Sequence, residues 1–73
     1  MGTAECLEVV LAAASEIFGT KVSAADNFFD LGGNSLVAVQ LTAQLEEHLS
    51  KEVDNIDLLS AQNFEEFSMR LTE

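Results

Sequence analysis

The residue best placed to do chemistry is Ser35, which stands near the end of the run Asp26-Asn27-Phe28-Phe29-Asp30-Leu31-Gly32-Gly33-Asn34-Ser35-Leu36. The run is an apolar-anchored loop that delivers a hydroxyl to the start of a helix. Gly32 and Gly33 clear side chains from the approach and adopt backbone angles that other residues resist. A helix start offers N–H groups without intrahelical partners and the positive end of a dipole, which together suit a phosphate. A hydroxyl presented this way is accessible to a large partner. The alternative role for Ser35 is that of an N-cap, since serine before an apolar-periodic segment is a capping residue by type.

Other chemistries find less support. A nucleophile elbow reads Gly-x-Ser-x-Gly between a strand and a helix. Here Gly33-Asn34-Ser35-Leu36-Val37 lacks the second glycine, and no strand precedes it. The single histidine, His48, follows Ser35 on the same predicted helix, and at 1.5 Å per residue it lies roughly 20 Å away, out of reach as a base. Asp26, Asn27 and Asp30 resemble a calcium loop, but Phe28 and Leu31 fall where that loop needs an oxygen ligand and a glycine. The neighbouring pairs Glu46–Glu47 and Glu65–Glu66 diverge on a helix and read as solvated faces. No phosphate-binding Gly-Lys-Ser or Gly-Lys-Thr occurs. The residues thus predict no catalysis by the chain itself and no metal site.

The elements that position Ser35 follow from a helical period in the apolar residues. A first helix is predicted from about Ala4 to Phe18, with Leu7, Val10, Leu11, Ala14, Ile17 and Phe18 inward, Glu5, Glu8 and Glu16 outward, and Gly19 as its C-cap. The pattern stops from Thr20 to Asn34, a long connection for a domain this size. Phe28, Phe29 and Leu31 argue that it is ordered over the core, pinned at its start by Val22. We expect a crossover that lets the flanking helices run roughly parallel. The second helix is predicted from Ser35 to about Leu49, with Ala38, Leu41, Leu45 and Leu49 in the core. Leu36, Val39 and Ala43 form a second strip that we expect to stay partly exposed. Ile56, Leu58 and Leu59 suggest a short helical turn ending near Ala61. Asn63 then reads as the N-cap of a last helix, Phe64 to Leu71, with Phe64, Phe67 and Leu71 inward and a Glu66–Arg70 pair at i, i+4.

Size and composition agree with one small domain spanning residues 1–73. The 73 residues are 48% hydrophobic, with no proline and few β-branched or aromatic runs, which favours a folded all-α bundle over a disordered tail or a sheet. A chain this short buries about 60% of its unfolded surface, so its core is thin. Thirteen acidic residues against three basic ones give a net charge of −10. Such a surface repels nucleic acid and anionic lipid, serves solubility, and draws basic protein surfaces toward it. Cys6 is the sole cysteine, which excludes an internal disulfide, and on a predicted helix it reads as a packing residue. No basic run precedes an apolar stretch at the N-terminus, no segment approaches a membrane span, and Cys6 stands where a myristoylation signal needs Ser or Thr. The default location is the cytoplasm.

The string from Asp26 to Leu36 resembles the phosphopantetheine attachment motif of thiolation domains, the peptidyl carrier proteins of nonribosomal peptide synthesis. The likeness covers nearly the whole chain: a first helix, a long loop, a serine-headed helix, a short third helix and a final one. The resemblance implies a small four-helix bundle, three main helices plus a short third one, in which Ser35 receives 4′-phosphopantetheine from coenzyme A through a separate phosphopantetheinyl transferase. It implies that Gly33, Asn34 and Leu36 flank the attached group. It further implies that the arm's thiol holds an aminoacyl or related acyl group as a thioester, with the carrier itself non-catalytic and monomeric. Phe28, Leu31, Leu36, Val39 and Ala43 would form the docking patch for adenylation, condensation, tailoring or thioesterase enzymes. The sequence departs from the family at Asn34, where His or Asp is frequent, at Gln62-Asn63, where Pro-Thr is frequent, and near Gln40, where a basic residue is frequent. Beginning with Met1 and ending soon after the last helix, the chain suits either a free-standing carrier or a domain of a synthetase. An acyl or aryl carrier with the same arm and another cargo stays open as a reading. So does an unmodified acidic helical adaptor that uses Ser35 only as a cap.

Overall fold

The computed structural model describes residues 2–72, which form four helices and no strand. They are α1 (Thr3–Phe18), α2 (Ser35–Leu49), α3 (Asn55–Ser60) and α4 (Phe64–Leu71). The predicted helices are all present, with ends shifted by a residue or so. None is long and apolar enough to cross a membrane. Each helix touches two others: α1 packs on α2 and α4, and α3 bridges α2 to α4.

Local chemistry sets the boundaries. Gly19 takes a left-handed φ of 69° and returns its N–H to the Ser15 carbonyl, ending α1. Ser50 ends α2 in the same conformation at φ 55°, a rare geometry for a residue with a Cβ. The Asp54 side chain accepts from the Ile56 amide and starts α3. Asn63 accepts from the Glu66 amide at 2.8 Å and starts α4, as its position in the sequence predicts. Glu66 reaches Arg70 at 2.9 Å, and the same guanidinium donates to the Asp57 carbonyl and the Ser60 hydroxyl of α3.

The core joins Val10, Ala13 and Ala14 of α1, Leu41 and Leu45 of α2, Leu58 of α3, and Phe64, Phe67 and Leu71 of α4. The buried face of α1 differs from the expectation. Cys6, Val10, Ala13 and Ala14 are inside, whereas Leu7, Leu11, Ile17 and Phe18 are only half-buried. With α2 on one side and α4 on the other, α1 turns its small residues to the close approaches, and its larger ones cover the flanks. Leu49 is likewise half-buried at the end of α2, packed against the core.

The expected parallel arrangement of α1 and α2 is not what forms. The Thr3 and Thr72 hydroxyls meet at 3.1 Å, placing the start of α1 beside the end of α4. Lys51, just past α2, donates to the Leu71 carbonyl and acts electrostatically on Cys6 in the first turns of α1. So α1 runs antiparallel to both neighbours. The long loop does not traverse the bundle because its residues are spent in turns over one end of it. The Val22 amide donates to the Ser15 hydroxyl. The Ala24 and Asp26 carbonyls accept the Glu65 and Phe64 amides at 3.1 Å each, partners for N–H groups that a helix start leaves free.

Candidate functional site

Residues 27–31 form a tight turn. Asn27 Oδ1 accepts the amides of Phe29 at 2.8 Å and Asp30 at 3.1 Å, and the Asn27 carbonyl accepts the Leu31 amide. Gly32 and Gly33 then donate to the carbonyls of Phe29 and Phe28, each at 3.0 Å. These two glycines serve different ends. Gly32 holds φ at 93° in open space, so backbone conformation is what selects it. At Gly33 a Cβ would lie 2.6 Å from two ring atoms and the carbonyl oxygen of Phe28. Its bareness therefore serves Phe28, a correction to the view that both glycines clear space for the hydroxyl.

Asn34, not Ser35, caps α2: its Oδ1 accepts the Val37 amide at 3.0 Å. Ser35 is the first residue inside the helix, and it is exposed. Its hydroxyl has no hydrogen-bond partner among the described residues, and the amides of Ser35 and Leu36 are also uncommitted there. The reading of Ser35 as a cap is thereby overturned. Acidic residues occupy the first turn of α1, α3 and α4, the positions where they offset a helix dipole, yet the first turn of α2 has none. A free hydroxyl, two free amides and no opposing carboxylate fit the phosphodiester of a phosphopantetheine arm.

The predicted docking set is divided by the fold. Phe28 is 2% exposed and stands edge-on to Phe18 with centroids 5.8 Å apart; it is a core residue and cannot dock a partner. Leu31 is half-buried against the core. Leu36, Val39 and Ala43 are exposed, Leu36 at 68% and Val39 at 52%. Three further large apolar residues are exposed unforeseen: Phe29, Ile56 and Met69, at 51%, 67% and 53%. Phe29 stands edge-on against the Phe28 ring, centroids 5.4 Å apart, on its solvent side. Ile56 lies in a helix of six residues, too short for periodicity to reveal its outer face. Thr42, buried in α2, lies 2.6 Å from Asn55 Oδ1, which holds the start of α3 and so Ile56 close to α2.

His48 is exposed at the far end of α2, beside a shallow 230 Å³ cleft with Val9, Ala12, Ala13, Glu16 and Gln44. Glu46 is not merely solvated, because it accepts the Val53 amide at 2.9 Å. Burial raises the Cys6 thiol pKa above its ordinary value, partly opposed by Lys51, so Cys6 is the expected packing residue. No cluster of three His, Cys, Asp or Glu side chains able to hold a metal occurs among the described residues.

Comparison with known proteins gives the family and the fold. The family described as "Phosphopantetheine attachment site" matches residues 8–71. Surfactin synthase subunit 2 of Bacillus subtilis (strain 168) is 40% identical over 57 residues, 78% of this chain. Enniatin synthase of Fusarium equiseti is 36% identical over 56 residues, 77% of this chain. The chain spans about 2% of the length of either relative. The structure of BlmI, a type-II acyl-carrier-protein from Streptomyces verticillus involved in bleomycin biosynthesis, shares the fold. Its TM-score is 0.90 over 96% of this chain and 86% of BlmI, at 24% identity. The chain belongs to the phosphopantetheine attachment site family. It is a carrier domain of the kind found in nonribosomal peptide synthetases, and the cofactor of that family is 4′-phosphopantetheine.

Proposed function

We propose that Ser35 is the point of attachment, and that residues 1–73 make one carrier domain which shuttles an aminoacyl or related acyl intermediate between enzymes of nonribosomal peptide or similar natural-product assembly. The observation that supports this most is the freedom of the Ser35 hydroxyl, left unbound because Asn34 does the capping. In the loading reaction Ser35 Oγ attacks the pantetheine-bearing phosphorus of coenzyme A. A new O–P bond forms, the pyrophosphate bond breaks, and 3′,5′-bisphosphoadenosine leaves. His48 lies at the other end of α2, and a phosphopantetheinyl transferase takes the proton. The amides of Ser35 and Leu36, uncommitted among the described residues, would hold the phosphodiester at the start of α2. When bound, the arm supplies a terminal thiol that carries its cargo as a thioester.

The carrier on this reading is a substrate and not an enzyme. It acts as a monomer in the cytoplasm, where coenzyme A is held. Leu36, Val39 and Ala43, with Phe29 and Ile56 added, give adenylation, condensation, tailoring and thioesterase enzymes an apolar contact. The surrounding negative charge aids encounter more than residence. Incubation with coenzyme A and a transferase of broad specificity, read by intact mass, tests the proposal. One phosphopantetheine per chain is expected, and none on Ser35→Ala. A wild-type protein that stays unlabelled overturns it, as does a Ser35→Ala protein that gains the group.

A further inference from the structure

We infer that Asn27 is a positioning residue for Ser35, an assignment that rests on the proposed attachment at Ser35 and concerns how that serine is presented. Asn27 is joined to two parts of the fold at once. Its Oδ1 accepts the Phe29 and Asp30 amides at 2.8 and 3.1 Å, closing the turn from within. Its Nδ2 donates to the Gln62 carbonyl at 2.9 Å, thirty-five positions away in sequence. Beside that bond the Asp26 and Ala24 carbonyls accept the Phe64 and Glu65 amides. One side chain thus fastens the loop to the start of α4 and shapes the turn that leads out of it.

From Asn27 to Ser35 the chain of restraints is continuous. The closed turn sets the Phe28 and Phe29 carbonyls, which receive the Gly33 and Gly32 amides. Gly33 lies directly against the Phe28 ring, and Phe28 is buried against Phe18. Asn34 then caps α2. The Ser35 side chain has no hydrogen-bond partner among the described residues to orient it, so its presentation is inherited from this path.

Asparagine is suited to the task because it needs a donor and an acceptor on one short side chain. Asn27→Asp keeps the acceptor for the Phe29 and Asp30 amides but opposes a carboxylate to the Gln62 carbonyl. Asn27→Ala removes both functions. If the loop samples its competent arrangement only a tenth of the time, the apparent affinity for a partner that requires it falls tenfold, with turnover after binding unchanged. That split separates positioning from stability alone, which would lower the melting temperature without altering loading of the folded protein.

The test measures transfer from coenzyme A by a phosphopantetheinyl transferase at a temperature where circular dichroism shows each variant folded. Amide hydrogen exchange is followed on the same unmodified samples. For Asn27→Ala we expect KM for the carrier to rise about tenfold at constant kcat, and the rise for Asn27→Asp to be smaller. Faster exchange is expected at Gly32 and Gly33, with Leu41 and Leu45 unchanged. If Asn27→Ala does not fold, the Asn27→Asp arm decides. Unchanged KM and unchanged exchange in a folded variant overturn the assignment while leaving attachment at Ser35 standing. A wild-type chain that is never modified overturns attachment, and the positioning role with it.

Discussion

Replacing Gly33 by alanine tests the packing that presents Ser35, and its cost can be worked from the geometry. The added methyl would sit 2.6 Å from Phe28 Cε2, Cζ and O, well inside van der Waals contact. Phe28 has little room to withdraw. It is 2% exposed, its ring meets Phe18 and Phe29 edge-on, and its carbonyl holds the Gly33 amide itself. Overpacking of this kind costs about 2–3 kcal/mol. Reduced freedom in the unfolded chain returns about 0.4–1 kcal/mol, leaving a loss of about 2 kcal/mol. For a domain of this length that is a fall in Tm of about 8–16 °C. Gly32→Ala is the internal control. Its methyl meets nothing within 4 Å, so only the positive φ penalises it, by about 1–2 kcal/mol before the same offset. The expected fall is then about 4–8 °C. With no tryptophan or tyrosine in the chain, helical circular dichroism is the appropriate monitor, by heat and by urea. A Gly33→Ala protein that melts at or above the Gly32→Ala protein refutes the argument, because the Phe28 contact would then be yielding and not fixed.

The remaining expectations concern the hydroxyl, the exposed strip and the thiol. Asn34→Ala removes a cap and should cost about 1 kcal/mol, whereas Ser35→Ala should leave urea stability within about 0.5 kcal/mol; equal losses would show that Ser35 shares the capping. Val39→Glu, at a position 52% exposed, should leave the melt unchanged and reduce kcat/KM for loading by an adenylating enzyme about five- to tenfold. A protein that melts instead would return Val39 to the core. Cys6 has a raised pKa through desolvation, so above the ordinary thiol pKa the unfolded chain binds fewer protons than the folded one. That stabilising contribution is therefore complete below the unfolded pKa and is lost as pH rises through the folded value. Alkylation at mildly alkaline pH should be slow in the native state and fast in urea, and rapid native labelling would contradict the burial.

Much of this protein is written in short-range sequence patterns. The helical period, Gly19 and Asn63 fix where α1 ends and where α4 begins, because caps and turns are satisfied within a few residues of themselves. The string from Asp26 to Leu36 marks Ser35 for the same reason: a glycine-rich approach to a helix start is a local device. Sequence also supplies both glycines, but not the different need each one meets. That Asn34 takes the cap is also local, since its Oδ1 accepts the Val37 amide three residues on, whereas which of Phe28 and Phe29 is buried was settled only when the loop closed on Phe18 and on the start of α4. The direction of α1 against α2 and the outward face of Ile56 were settled in the same way. These are outcomes of contacts between residues far apart in the chain, such as Asn27 with Gln62 and Thr3 with Thr72. A periodic pattern ranks residues by polarity; it carries no record of which distant surface arrives to cover them. Sequence thus names the hydroxyl and the cap beside it, and tertiary structure decides which apolar side chains around it are buried.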